Sequence, residues 1–284
     1  RKESPVLIKY YLPAMNWSEI FLVMVAGKGT IAGTVMGTYI GMLAGGDPVS
    51  RVLFAKHLLS ASLMAAPGSI VLAKILCPQT EKVDDRLVKM EKVGQHSTVL
   101  DALAAGTSTG VRLMVNFSAM LVVFIAMVAL ANYFLEGVIG RYTGLNDWIV
   151  SITDGKAQGL TFQFILGVIL SPFMWLIGVP YQDVMLVGSL LGQKTILNEF
   201  VAYFQLQEWK DAGLFLYQKS ILMSTYILCG FANISSIGIL LGGMGVLAPE
   251  KRELITRFGF PAMIAGALVS VLSATIIGMM LIVN

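Results

Sequence analysis

The sequence predicts an all-α integral membrane protein made of inverted repeats, with re-entrant helical hairpins and interrupted transmembrane helices. Three observations carry that reading. Of 284 residues, 56% are hydrophobic and 13% charged, with a mean hydropathy of +0.76. A soluble domain carries about 25% charge, so too little polar surface is left to cover a globule in water. The apolar residues also gather into charge-poor runs near the roughly 20 residues that a helix needs to cross a hydrocarbon core. Finally, two units of similar design recur, each a hairpin arm headed by an acid and followed by a span with a Gly- and hydroxyl-rich middle.

Taken in order, Glu3 to Leu12 reads as the second arm of a hairpin, beginning at its tip. Ile20 to Leu43 is a Gly-rich span interrupted by Lys28, and Leu58 to Leu76 is a second span with Lys74 placed to snorkel at its end. Leu113 to Leu135 is free of charge until its end and reads as an ordinary lipid-facing helix. Phe162 to Ile177, with Ser171-Pro172 at its centre and Trp175 beyond, suits an interfacial helix. Tyr181 to Leu191 and Glu199 to Leu206 are too short to cross. The polar stretch Gly192 to Asn198 between them reads as the turn of a re-entrant hairpin, which lipid permits only where protein covers it. Ile221 to Leu247 and Phe258 to Val283 complete the full spans. The chain divides accordingly into a first repeat over 1–76, a cytoplasmic helix, scaffold span and external loop over 77–160, and a second repeat over 161–284.

The net charge of +3 is mild, and the basic residues are scattered, so no nucleic-acid partner is implied. Cys77 and Cys229 lie far apart in apolar stretches, without the spacing of a metal site or a disulfide framework. Lys82, Arg86, Lys89, Lys92 and Arg112 place one loop in the cytoplasm, and Lys251, Arg252 and Arg257 place another there. The first hairpin then enters from the cytoplasm and the second from outside. The chain opens on Arg1 without Met and reads as a fragment of a longer protein.

That opposition makes the repeat inverted. One unit runs from Lys2-Glu3-Ser4-Pro5 to a span containing Thr30-Ile31-Ala32-Gly33. The other runs from Asn198-Glu199-Phe200 to a span containing Phe231-Ala232-Asn233-Ile234-Ser235-Ser236. Inverted repeats with interrupted helices place the substrate near the midplane, where the half-helix ends meet. Glu3 and Glu199 stand at the hairpin tips, and an intramembrane carboxylate marks a functional site by default. The competing structural account is an ion pair, Glu199 with Lys194 or Glu3 with Lys28. Two carboxylates with an amide and hydroxyls (Asn233, Ser235, Ser236) suit the neighbouring hydroxyls of a sugar. Thr30 beside unwound carbonyls suits a small hard cation. Phe231 fits either a stacking surface for a flat ring or core packing.

Glu-Ser-Pro-Val-Leu-Ile-Lys-Tyr-Tyr at 3–11, Leu-Leu-Gly-Gln-Lys-Thr-Ile-Leu-Asn-Glu-Phe-Val-Ala-Tyr at 190–203 and Cys-Gly-Phe-Ala-Asn-Ile-Ser-Ser-Ile-Gly at 229–238 resemble the signature stretches of the concentrative nucleoside transporter family. The resemblance runs over essentially the whole chain. It implies a multi-pass protein of the bacterial inner membrane that takes up nucleosides such as uridine in symport with sodium or protons. Homotrimeric assembly and alternating access of a transport domain past a fixed scaffold come with it, as do three leading spans and an interfacial helix that this chain lacks. No cofactor is implied beyond sodium as coupling ion.

By that resemblance Glu199, Asn233 and Ser236 hold the ribose hydroxyls, while Glu3, Val35 and Phe231 lie at the base, with Lys2 beside them. Thr30 and the Ile31 carbonyl contribute to the sodium site. The chain departs from the family pattern at Arg1-Lys2, where a neutral pair that bonds the base is usual, and at Lys28, where an uncharged residue is usual. Lys28 is expected either to weaken sodium binding or to replace the ion, unless it snorkels or pairs with Glu3. An ion channel with re-entrant filter loops is the alternative function. An enzyme is not expected, because no metal-ligand cluster or Ser-His pairing is present.

Overall fold

The structure is a computed structural model that describes residues 11–12, 15–81, 99–153, 155 and 157–281. Every regular element among the described residues is helical. Lys2, Glu3, most of the hairpin arm over 3–12, and the loop cations Lys82, Arg86, Lys89 and Lys92 lie outside them.

Helix α1 (Trp17–Gly29) begins where Asn16 and Glu19 cap it reciprocally. The Asn16 Oδ1 accepts from the Glu19 N–H at 3.0 Å, and the Glu19 carboxylate accepts from the Asn16 N–H at 2.9 Å. The chain is extended at Thr30 and at Ala32, then resumes as α2 (Gly33–Ala44), so one 28-residue apolar stretch is two helices with a break between.

The third helix, α3 (Pro48–Leu76), starts ahead of the expected Leu58. Pro48 sits in its first turn with no N–H to satisfy, and the Asp47 carboxylate accepts from the Ser50 N–H at 2.8 Å. The cap therefore outweighs the charges of Arg51 and Lys56, which ride on the helix rather than in a loop.

Helix α4 (Val99–Asn132) runs on into a π-helical stretch, Tyr133–Gly140, and a short turn leads to α5 (Leu145–Ile152). The described residues divide into two compact units, one of residues 86–162 and the other of the chain on either side of it. Within the 86–162 unit, Asn146 fastens the return: its Nδ2 donates to the Glu136 carbonyl at 3.0 Å and its Oδ1 accepts from the Leu160 N–H at 2.9 Å.

In the other unit, α6 (Phe162–Leu176) precedes a hairpin of α7 (Val184–Ile196) and α8 (Glu199–Asp211). The expected polar turn over Gly192–Asn198 shrinks to Leu197 and Asn198. Gly192 to Ile196 stay helical because Lys194 is fully buried and bonded instead of wet, reaching across to α9 and α11, and because the glycine at 192 lets α7 lie directly on Leu166. Helix α9 (Gln218–Leu228), a second break over residues 229–233, and α10 (Ile234–Leu247) form the other interrupted span, and α11 (Arg252–Met280) closes the unit.

Lipid offers little hydrophobic drive for helices to associate, so close packing holds them. Two apolar clusters result. One surrounds Tyr39, Tyr203 and Tyr226, linking α2, α8 and α9. The other surrounds Ile20, Met24 and Val269, linking α1 and α11. The first cluster also takes in Ile31 and Cys229 from the two breaks.

Candidate functional site

A helix that stops inside a membrane leaves carbonyls without partners, and each must find one where water is absent. At the end of α1 the Thr30 hydroxyl donates back to the Ala26 carbonyl at 3.1 Å. The Lys28 carbonyl accepts the Phe231 N–H at 2.6 Å, so the second break satisfies the first.

The end of α9 is served from three directions. The Tyr203 hydroxyl of α8 donates to the Thr225 carbonyl at 2.8 Å. The Lys194 ammonium of α7 donates to the Ile227 carbonyl at 2.7 Å and to Ser270 Oγ at 3.0 Å. Ser270, on α11, passes its own proton to the Cys229 carbonyl at 2.8 Å. Lys194 is also a cation at a helix C-terminus, the end where the macrodipole favours positive charge.

The two breaks approach so closely that only glycine fits at 230. Its φ is +150°, and a Cβ there would stand 2.7 Å from Ser270 Oγ and 3.1 Å from the carbonyl oxygens of both Lys28 and Gly29.

Beyond the second break α10 starts on Asn233, whose Oδ1 accepts from the Ser236 N–H at 2.7 Å and from Ser235 Oγ at 2.8 Å. With its oxygen held by the helix start, the amide presents Nδ2 outward, and this donates to Glu199 Oε2 at 3.1 Å. Glu199 is the first residue of α8 and lies in the field of that helix N-terminus, which stabilises its carboxylate. Ser236 Oγ donates to the Asn233 carbonyl at 2.6 Å and accepts from Lys28 Nζ at 2.6 Å. The four side chains are 0–4% exposed. A carboxylate, a fixed amide, a hydroxyl and an ammonium so joined can exchange hydrogen bonds with a polyhydroxylated solute.

Glu199, Asn233 and Ser236 are therefore brought together. Phe231 is half-buried in the second break and joined to the group through its main chain. Thr30 is half-buried and Ile31 buried at the first break. Val35, one turn further along α2, is half-buried against the aromatic cluster. Lys2 and Glu3 fall outside the described residues. The snorkelling alternative for Lys28 is overturned: the side chain is 2% exposed and turned inward to Ser236.

Sequence reasoning missed Tyr203 and Ser270 and gave Lys194 only the part of an ion-pair partner. The first two read as ordinary residues of apolar helices, since their roles exist only once α9 is known to end at Leu228. A signal for the α10 start was present in Asn233-Ile234-Ser235-Ser236, an Asn three residues ahead of a Ser that returns the bond.

Comparison with known proteins gives a family. Residues 57–278 match the profile of the "Na+ dependent nucleoside transporter C-terminus" family. An "Uncharacterized transporter" of Haemophilus influenzae is 39% identical over 280 residues, 98% of this chain and 62% of that protein. The "Nucleoside permease NupC" of Helicobacter pylori is 38% identical over 285 residues, 99% of this chain and 62% of its own length. Among solved structures, "CNTnw in an inward-facing substrate-bound state" superposes with a TM-score of 0.79 at 34% identity, covering 98% of this chain and 61% of that one. The chain thus spans about three fifths of the length of these three proteins.

Proposed function

This chain belongs to the Na+-dependent, concentrative nucleoside transporter family, a family of transporters rather than enzymes, and from that premise we propose that it forms the substrate-binding part of a nucleoside uptake system coupled to a cation gradient, sodium or proton. The observation that carries the proposal is the buried contact of Asn233 with Glu199, flanked by Ser236, at the meeting of two helix N-termini.

In this reading the ribose hydroxyls donate to Glu199 and accept from Asn233 and Ser236, while the base lies toward Phe231, Val35 and Glu3, with Lys2 at its edge. Where sodium is the coupled ion, the Thr30 hydroxyl and the Ile31 carbonyl at the first break are this chain's ligands for it. A site of this polarity is costly to carry through a hydrophobic barrier when half filled. Loading by solute and ion together meets its hydrogen-bonding needs, and that difference couples the two. Homotrimeric assembly in an inner membrane and alternating access belong to the same proposal and rest on the family resemblance.

The test is uptake of labelled uridine into proteoliposomes holding the full-length protein, under an imposed sodium or proton gradient. Accumulation above the external concentration in either gradient is expected. Equilibration without accumulation in both, or no saturable uridine entry at all, contradicts the proposal.

A further inference from the structure

Lys28 lies at the last turn of α1, 2% exposed in a segment long and apolar enough to cross a membrane, and an intramembrane cation is a functional feature by default. The fold makes room for it: a Cβ on Gly266 of α11 would stand 2.7 Å from the Lys28 Cβ. Among the described residues the ammonium has one acceptor, Ser236 Oγ, at 2.6 Å. The Ser236 proton is committed to the Asn233 carbonyl at 2.6 Å, so the hydroxyl meets Lys28 only as an acceptor. The string continues from Asn233 Nδ2 to Glu199 Oε2 at 3.1 Å. One cation and one anion thus stand on either side of Ser236 and Asn233, each bonded to one of them.

A free cation bound here would bring two things, a positive charge set against the carboxylate and a clasp between the two interrupted helices. Lys28 supplies both by covalent attachment. Its side chain reaches Ser236 in α10, and its carbonyl accepts the Phe231 N–H at 2.6 Å. It also repels any second cation at Thr30, two residues along the same break.

We propose that the Lys28 ammonium is a tethered counter-ion that stands in for bound sodium in assembling the Glu199–Asn233–Ser236 site, so that nucleoside binding by this protein is indifferent to sodium. The inference rests on the reading of those residues as the nucleoside site. Uridine binding to the purified full-length protein, followed by isothermal titration in sodium chloride and in choline chloride, tests it. The expected result is an equal Kd in the two salts within twofold, with Lys28→Met, which keeps the stem and drops the charge, at least tenfold weaker in choline. A wild-type affinity raised more than twofold by sodium overturns the inference while leaving the nucleoside site standing, and this measurement needs no variant. Undiminished binding by folded Lys28→Met in choline overturns it as well. Uridine binding in neither salt removes the nucleoside site itself, and the inference with it.

Discussion

Asn233 donates its Nδ2 to Glu199 Oε2 at 3.1 Å, joining the first residue of α8 to the cap of α10 across the middle of the unit. The amide cannot turn over, because its Oδ1 is held by the Ser236 N–H at 2.7 Å. Two features of sequence that lie far apart, a hairpin tip and a helix break, are in this way one polar surface.

The fixed orientation makes Asn233→Asp informative. Aspartate still caps α10, but it loses the donor and sets a second carboxylate against Glu199, where like charges disfavour each other. Uridine Kd measured by isothermal titration is expected to rise at least tenfold while the elution profile of the protein is unchanged. An unaltered Kd counts against Asn233 as a ligand.

Removing the Lys194 ammonium leaves the Ile227 carbonyl without its buried donor. An orphaned buried acceptor costs about 1–3 kcal/mol. Lys194→Met therefore lowers the thermal unfolding midpoint in detergent, which a fluorescence melt reads. A midpoint equal to that of wild type denies Lys194 its part in closing the end of α9.

Gly230→Ala meets both a left-handed backbone and a neighbour 2.7 Å from the new Cβ. Substitution at an incompatible φ destabilises by more than about 1 kcal/mol, and here the helix crossing must also open. Lower thermal stability and weaker uridine binding are expected together, because Lys28 and Phe231 are joined at that crossing. Loss of neither indicates that the breaks have room to spare.

Tyr203 supplies both an aromatic face, stacked on Tyr39 with ring centroids 4.0 Å apart, and a hydroxyl for the Thr225 carbonyl. Tyr203→Phe keeps the first and loses the second, costing about 1–3 kcal/mol because a buried carbonyl loses its donor. Tyr203→Ala loses both and is expected to melt lower still. Equal midpoints for the two variants place the whole effect in the hydroxyl and contradict a contribution from the stack.

Much of this architecture was legible in the residues. Charge-poor runs mark the interrupted spans, and acids heading short apolar arms single out Glu199, because both follow from the solvent's demand that charge be rare and polar backbone be covered. The hairpin turn is shorter than the sequence suggests: Gln193 and Lys194 look wet when their partners, such as Ser189, Ile227 and Ser270, cannot be seen in the sequence. Helix α3 starts earlier than hydropathy indicates for a local reason, since hydropathy registers Arg51 and Lys56 but not the cap that Asp47 provides. Lys28 stands out in the sequence as a charge within an apolar span, yet its attachment to Ser236 depends on two helix ends crossing, a relation that no local pattern encodes.

The measurement closest to the central claim compares uridine with 2′,3′-dideoxyuridine as ligands of the wild-type protein and of Glu199→Gln, a variant that keeps shape and drops the charge. A hydrogen bond to a charged group contributes about 1.5–3 kcal/mol. The account predicts that the variant binds uridine at least tenfold more weakly and binds the dideoxy compound as well as wild type does, so that the loss belongs to the sugar hydroxyls. Equal losses for the two ligands, or an unchanged uridine affinity, contradict it.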